Sequence, residues 1–386
     1  MSRTTDLGKE RKKAALRKAV KRLILVLFAA AIVFAVYQMR FEIANEGPSV
    51  WVADAVDQLT YSGGYPVAID RSSQRQLASI GSRIAVVSEG DLSIYNSAGR
   101  EVLSSRLNYQ NPIAVSAGKW LMLFDRGGTA LSIRMGSRTL IEQNFDLKLY
   151  TAALAADGGY AVVTGSNGYL AQMMVYDSNF NERFTWYSSE NMLYLLSFDP
   201  HAQMIAAAGV STSGGMLRST IVLFSVSNGT ELYKTTIDNE LILGLHISAD
   251  GEATVVTDRS LARLSKTGEV TGSASFNGEK VGAFAIDSGG RVAAALGDYE
   301  KRHHMELMLF DKSAKPIARA EVEHNITSMS FGKRIVAFAG DRTLLYDENL
   351  SLQKNLETAD AVTRLVVGDT LYYTTLRELR RVSLSQ

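Results

Sequence analysis

One pattern constrains this sequence more than any other: a short, nearly unbroken apolar run recurs eight times behind a polar or glycine-containing turn. The runs begin at Ile84, Trp120, Tyr160, Met204, Ala253, Arg291, Arg334 and Thr370. Their spacing averages about 41 residues, a period that points to a repeat architecture rather than to one continuous core. Each run is too short for a helix and reads as a strand covered on both faces. A second strand recurs behind it, ending in an aromatic residue or Leu followed by Asp, Asn or Ser. Examples are Tyr95-Asn96, Tyr176-Asp177, Phe224-Ser225, Phe310-Asp311 and Tyr346-Asp347, with Leu264-Ser265 as a weaker copy. Asx and Gly residues suit a hairpin at these points because they tolerate positive φ. A polar, alternating strand follows each turn, as at Glu101 and Glu231.

Four strands per unit, the second apolar and the fourth polar, describe one blade of a β-propeller. The apolar strand is sandwiched between neighbouring blades, and the polar strand lies on the rim. The expected fold is all-β, an eight-bladed β-propeller over 65–386. Seven blades is the alternative if the least regular unit, 112–149, does not form one. The last unit begins near Ala361 and holds only three strands, whereas Tyr65-Pro66-Val67-Ala68-Ile69 has no blade of its own. That segment is expected to supply the missing outer strand, which closes the ring and removes an exposed sheet edge.

The chain before the repeats has a different character. Residues 1–22 carry nine Lys/Arg against Asp6 and Glu10, and residues 23–39 carry no charge. Seventeen residues at about 1.5 Å per residue span roughly 25 Å, the short end of a transmembrane helix. The basic block precedes the apolar run, so the positive-inside rule places the N-terminus in the cytoplasm and the rest outside. A cleaved signal peptide would need small residues after the run, but Tyr37-Gln38-Met39-Arg40 stands there. The expected organisation is a basic cytoplasmic tail (1–22), a transmembrane signal anchor (23–39), a membrane-proximal linker (40–64) and the propeller ectodomain (65–386). Lys12, Lys13, Arg17 and Lys18 lie in a basic amphipathic stretch that could also rest on anionic headgroups; a topology signal is the plainer reading.

Composition excludes several chemistries. The chain has no Cys, so disulfides, cysteine-based metal sites and thiol catalysis are ruled out. Outside 1–22 the acidic residues exceed the basic ones by six, which disfavours nucleic acid as a partner. His303-His304 lacks a third metal ligand at a recognisable spacing and reads as a solvated loop pair. His246 alternates with Leu245 and Ile247 and reads as a core or channel residue. Gly209-Val210-Ser211-Thr212-Ser213 lacks the final Gly of a nucleophile elbow. No cofactor or catalytic residue is expected. Two candidate binding features remain. Asp125-Arg126-Gly127-Gly128 is either an ion pair presented at a propeller face or a hairpin turn. Phe184, Trp186 and Tyr187 are either an exposed aromatic patch or packing between blades.

These residues also carry a resemblance. The stretch from Asp157 through Val163, read Asp-Gly-Gly-Tyr-Ala-Val-Val, is similar to the turn-and-strand unit of WD40-like bacterial propellers. The WD dipeptide is absent, since Val, Leu and Tyr follow Trp51, Trp120 and Trp186. With the basic N-terminus, the apolar run, Gly64-Tyr65-Pro66-Val67, Leu123-Phe124-Asp125-Arg126-Gly127-Gly128 and Val175-Tyr176-Asp177-Ser178, the chain resembles a family of single-pass, membrane-anchored WD40-like β-propellers. That family belongs to Gram-positive, clostridia-type bacteria and is a domain-of-unknown-function family. The resemblance covers most of 60–386; it implies fold and location and no functional residues. The expected function is a membrane-tethered, extracytoplasmic, non-catalytic binding or scaffolding module for envelope proteins or cell-wall components. The alternatives are a propeller enzyme with a channel-face active site and a transmembrane sensor.

Overall fold

The computed structural model describes residues 63–70, 75–297 and 304–385. The basic tail with Lys12, Lys13, Arg17 and Lys18, the apolar run 23–39, most of the linker and His303 lie outside the described residues. Among the described residues no helix is long and apolar enough to cross a membrane. Tyr61–Gln386 forms a compact unit by itself.

Within it, each repeat folds as a four-stranded antiparallel sheet, and eight such sheets are present among the described residues. The first seven blades occupy 75–106, 112–144, 149–188, 192–238, 242–275, 280–322 and 328–357. The eighth takes Thr363–Val367, Thr370–Thr374 and Glu378–Ser383 from the end of the chain and Val67–Ala68 from the start of the described residues. The unit 112–149 is as regular as the others, so the ring has eight blades and the seven-bladed alternative is overturned. It looks irregular in sequence because the turn between Ala130–Met135 and Arg138–Asn144 is short and built on Gly136 at φ 58, without the usual Asx residue.

The apolar second strands are buried because successive side chains leave a strand on opposite sides. In Tyr160–Thr164, Tyr160 and Val162 join Trp120 and Met122 of the preceding blade. Ala161 and Val163 join Ile205 and Ala207 of the following blade. One strand therefore belongs to two cores, and period-two alternation of polarity is lost.

The aromatic-Asp motif is explained by its hydrogen bonds. Asp177 Oδ1 accepts from the backbone N–H groups of Asn179 and Asn181, both at 2.9 Å. Asp311 and Asp347 do the same for residues two and four positions ahead. Phe180, Ala314 and Leu350 in these turns have φ of 65, 62 and 59, the left-handed region that normally favours Gly. Burial of Ala314 and Leu350 against their clusters offsets that strain.

Val67–Ala68 pairs antiparallel with the last strand, Val67 opposite Leu379 and Ala68 opposite Glu378. Ile69 N–H adds a bond to Arg377 O at 2.8 Å. Tyr65 meets Tyr372 edge-on at 5.7 Å and donates to Asn96 O of the first blade. Arg75, on the innermost strand of that blade, donates at 2.7 Å to Thr375 O of the eighth.

Strand alternation gives the ring two faces. One carries the links between blades and the turns from second to third strand; the other carries the Asx turns. They are called here the linker face and the Asx face. The closing strand runs antiparallel to Glu378–Ser383, so residues 63 and 385 both lie at the Asx face.

Candidate interaction face

Among the described residues, the strongest exposed apolar cluster lies on the linker face over blades 3 and 4. Tyr169 and Leu170 come from the turn preceding Ala171–Tyr176, Tyr187 from the outer strand Glu182–Ser188, and Met192 from the start of the next blade. All are more than 40% exposed. The rings of Tyr169 and Tyr187 meet at 5.0 Å, and Leu170 N–H donates to Ser188 O at 3.0 Å. The patch is thus fixed by the third blade's own ladder. Leu243, on the inner strand of the fifth blade, is also exposed.

Beside it the fourth blade departs from the repeat. Its second and third strands, Met204–Ser213 and Met216–Ser225, are each ten residues long, against five or six in the second strands of other blades. The extra length forms an arm ending at Gly214-Gly215, with Met216 exposed beside the tip. Two ion pairs flank this region, Lys234 with Glu190 at 3.6 Å and Arg218 with Asp238 at 2.8 Å. Both are solvent-exposed and contribute little to stability.

The residues singled out from sequence fare differently. Trp186 is not part of an exposed patch: its ring packs at 5.0 Å on Phe224 of the next blade, and Phe184 packs beside it. Alternation along Glu182–Ser188 sends Phe184 and Trp186 inward to the seam and Tyr187 outward. Asp125-Arg126-Gly127-Gly128 is a turn, not an ion pair displayed on a face. Asp125 is buried, its Oδ1 accepting from Asn111 N–H at 2.7 Å. Gly127 N–H bonds Leu149 O, and Gly128 O accepts from Leu149 N–H, tying the second blade to the third. Arg126 is exposed, and no ion pair joins it to Asp125 among the described residues. Tyr169, Leu170, Met192 and the arm were missed. Only the arm left a trace in the sequence, the wide interval of 49 residues from Met204 to Ala253.

His246 lies half-buried at the seam between blades 5 and 6, with its Nε2 buried and without a hydrogen-bond partner among the described residues. Burial, reinforced by the Arg263 guanidinium, pushes it below the ordinary imidazole value of 6.5, while Asp287 and the Ser288 backbone pull the other way. Around it, Arg263 approaches Glu252 at 3.6 Å, and Arg291 bonds both Asp287 and Glu348. A depressed imidazole favours the neutral form in the fold. Its contribution is complete above the unfolded value and is lost as pH falls below it. Melting temperature is therefore expected to fall as pH drops below about 6.5, and less steeply in His246→Gln. Thermal melts of both proteins across that range decide; parallel curves would remove His246 as the source.

None of the described His, Asp or Glu residues gathers into a group of three able to hold a metal ion.

Comparison with known proteins agrees with this architecture. The C-terminal WD40 domain of Sif2 superimposes with a TM-score of 0.59 at 10% identity, covering 83% of this chain and 97% of that one. BamB from Moraxella catarrhalis gives 0.56 at 11% identity, covering 82% and 95%. Sqt1 from Chaetomium thermophilum, solved bound to the N-terminus of ribosomal protein L10, gives 0.54 at 11%, covering 78% and 93%. At such identities the likeness shows the fold. No curated protein matches the sequence. Residues 60–384, nearly the whole propeller, match a family of unknown function, DUF5711, and the chain belongs to that family.

Proposed function

We propose that this chain is a membrane-tethered, extracytoplasmic β-propeller that binds a protein partner of the cell envelope and performs no chemical step. The observation that carries the binding reading is the apolar cluster of Tyr169, Leu170, Tyr187 and Met192 on one face. Exposed aromatic and Met side chains gathered on a rigid sheet rim are the composition of protein interaction surfaces. Sqt1 offers a parallel, a propeller solved with a polypeptide terminus bound.

The tether is the apolar run 23–39, and the basic block before it sets the orientation. Lys12, Lys13, Arg17 and Lys18 strengthen the attachment on anionic headgroups by about 1 kcal/mol each when near the surface. Residue 63 lies at the Asx face, opposite the linker face that carries the apolar cluster.

Two experiments test these statements separately. Protease added to intact, wall-stripped cells is expected to remove the propeller; survival until lysis would reverse the orientation. In-membrane crosslinking with mass spectrometry from Tyr169 or Tyr187 is expected to yield a protein adduct. Reproducible turnover of glycosides, esters, peptides or phosphate esters by the purified protein would replace the binding reading with an enzyme.

A further inference from the structure

We propose that the arm of the fourth blade docks an extended segment of a partner polypeptide, which adds as a strand along the arm's free inner edge. This rests on the protein-binding reading and specifies the form of the partner.

The ladder shows where that edge is. Met204–Ser213 and Met216–Ser225 pair without interruption from Met204 opposite Ser225 to Ser213 opposite Met216. The innermost strand of the blade, Met192–Phe198, stops at Met192 opposite Val210. Beyond Val210 the arm continues for three residues, about 10 Å, with its inner side unpaired. The phase of the ladder says which groups are free. Gly214 and Gly215 both have positive φ, 60 and 81, the mark of a two-residue type I′ turn. In such a hairpin Ser213 and Met216 bond each other, so the next pair, Thr212 and Leu217, turns its backbone groups outward. Leu217 verifies the phase, because its carbonyl accepts from Asn239 N–H at 2.8 Å on the outer side. Thr212 presents the equivalent N–H and C=O on the inner side.

A second feature sits at the base of this edge. Asn191 is 5% exposed, yet its side-chain carbonyl has no donor among the described residues. It lies against the strand at Gly209, where a Cβ would stand 2.8 Å from the Cβ of Asn191. A buried amide oxygen without a donor is costly, and a rotation of the Asn191 amide toward the edge on binding would let a partner's backbone N–H supply one.

The apolar cluster completes the site. Met192 continues the line of the free edge, with Tyr169, Leu170 and Tyr187 on the adjoining blade and Met216 beside the tip. A strand added here sends alternate side chains toward these residues. A helix has no backbone groups free to pair with Thr212. The neighbouring charges already neutralise one another, Lys234 with Glu190 and Arg218 with Asp238. The partner segment is therefore extended, near-neutral and apolar at every second residue.

The test uses the full-length chain in detergent and a displayed library of random ten-residue peptides. Enriched peptides are expected to alternate apolar and polar residues. Thr212→Pro removes one outward N–H and no rung inside the arm, so it is expected to weaken binding at least tenfold, whereas Thr212→Ser retains it. Tyr187→Ser is expected to weaken binding about threefold. N-methylation of one backbone nitrogen in the peptide, measured on the unaltered protein, gives the same loss without any question of folding. Peptides that bind folded Thr212→Pro within twofold of the parent, indifference to N-methylation at every position, or failure to enrich any peptide would each overturn the proposal. A crosslinked partner found on the Asx face would preserve the general binding reading while removing this site.

Discussion

Removing the first strand of the propeller is expected to open the ring: the fragment 61–386 folds, whereas 72–386 aggregates or melts about 10 °C lower. The reason is the seam. Val67–Ala68 is the outer strand of a blade whose other three strands lie at the far end of the chain. Without it, Glu378–Ser383 becomes an exposed edge, a template for pairing with a second molecule. Tyr65, Val67 and Ile69 pack against the cluster of Ile84, Val86, Tyr95, Tyr372 and Leu379, which bridges the first and last blades. Losing three such partly buried side chains costs about 4–6 kcal/mol. At roughly 2 °C per kcal/mol for a domain above 250 residues, the shift is about 10 °C. The bond from Tyr65 Oη to Asn96 O disappears too. Differential scanning calorimetry and size-exclusion chromatography of the two fragments check this. Equal melting temperatures and monomeric elution of both would show that Arg75, Arg381 and their bonds across the seam suffice alone.

The closure was legible because it is a matter of strand counting. A last unit with three strands and an orphan segment at the start leave one arrangement that covers every edge. Blade number was legible for a similar reason, since a strand shared by two cores cannot alternate in polarity, and Tyr160–Thr164 shows the sharing directly. The Asx turns were visible as a motif, but their mechanism was not. That Asp177 satisfies two backbone N–H groups follows only from the three-dimensional path.

The interaction face was much less legible. Glu182–Ser188 contains three aromatic residues, and which one reaches solvent depends on strand phase against the neighbouring blade. Composition alone could not separate Tyr187 from Trp186. Asp125 was chosen for its unusual polarity, yet its carboxylate is absorbed by Asn111 N–H in the connection between blades. The arm carries apolar and small residues indistinguishable from a repeat strand, and only the extra rungs set it apart. Those rungs have no counterpart in the repeat pattern that located the blades.

Substitution of Gly158 by Val is expected to be among the most damaging single changes in the propeller, costing about 3–5 kcal/mol, while Gly168→Val costs only about 1–2 kcal/mol. Both glycines have φ beyond +90, so both substitutions strain the backbone equally in kind. Their surroundings differ. A Cβ at Gly168 meets nothing within 4 Å. A Cβ at Gly158 would stand 2.6 Å from Cζ2 and 2.7 Å from Cε2 of the Trp120 indole, well inside contact distance. Trp120 cannot yield cheaply, because it anchors the cluster with Met122, Leu131, Tyr160 and Val162 that joins blades 2 and 3. The clash thus falls on a seam, and displacing the indole loosens two blades at once. Thermal melts of the two variants separate backbone strain from overpacking. Trp120→Leu combined with Gly158→Val should recover part of the loss, since the smaller side chain vacates the space, whereas additive destabilisation in the double variant would show that the indole is not what Gly158 makes room for.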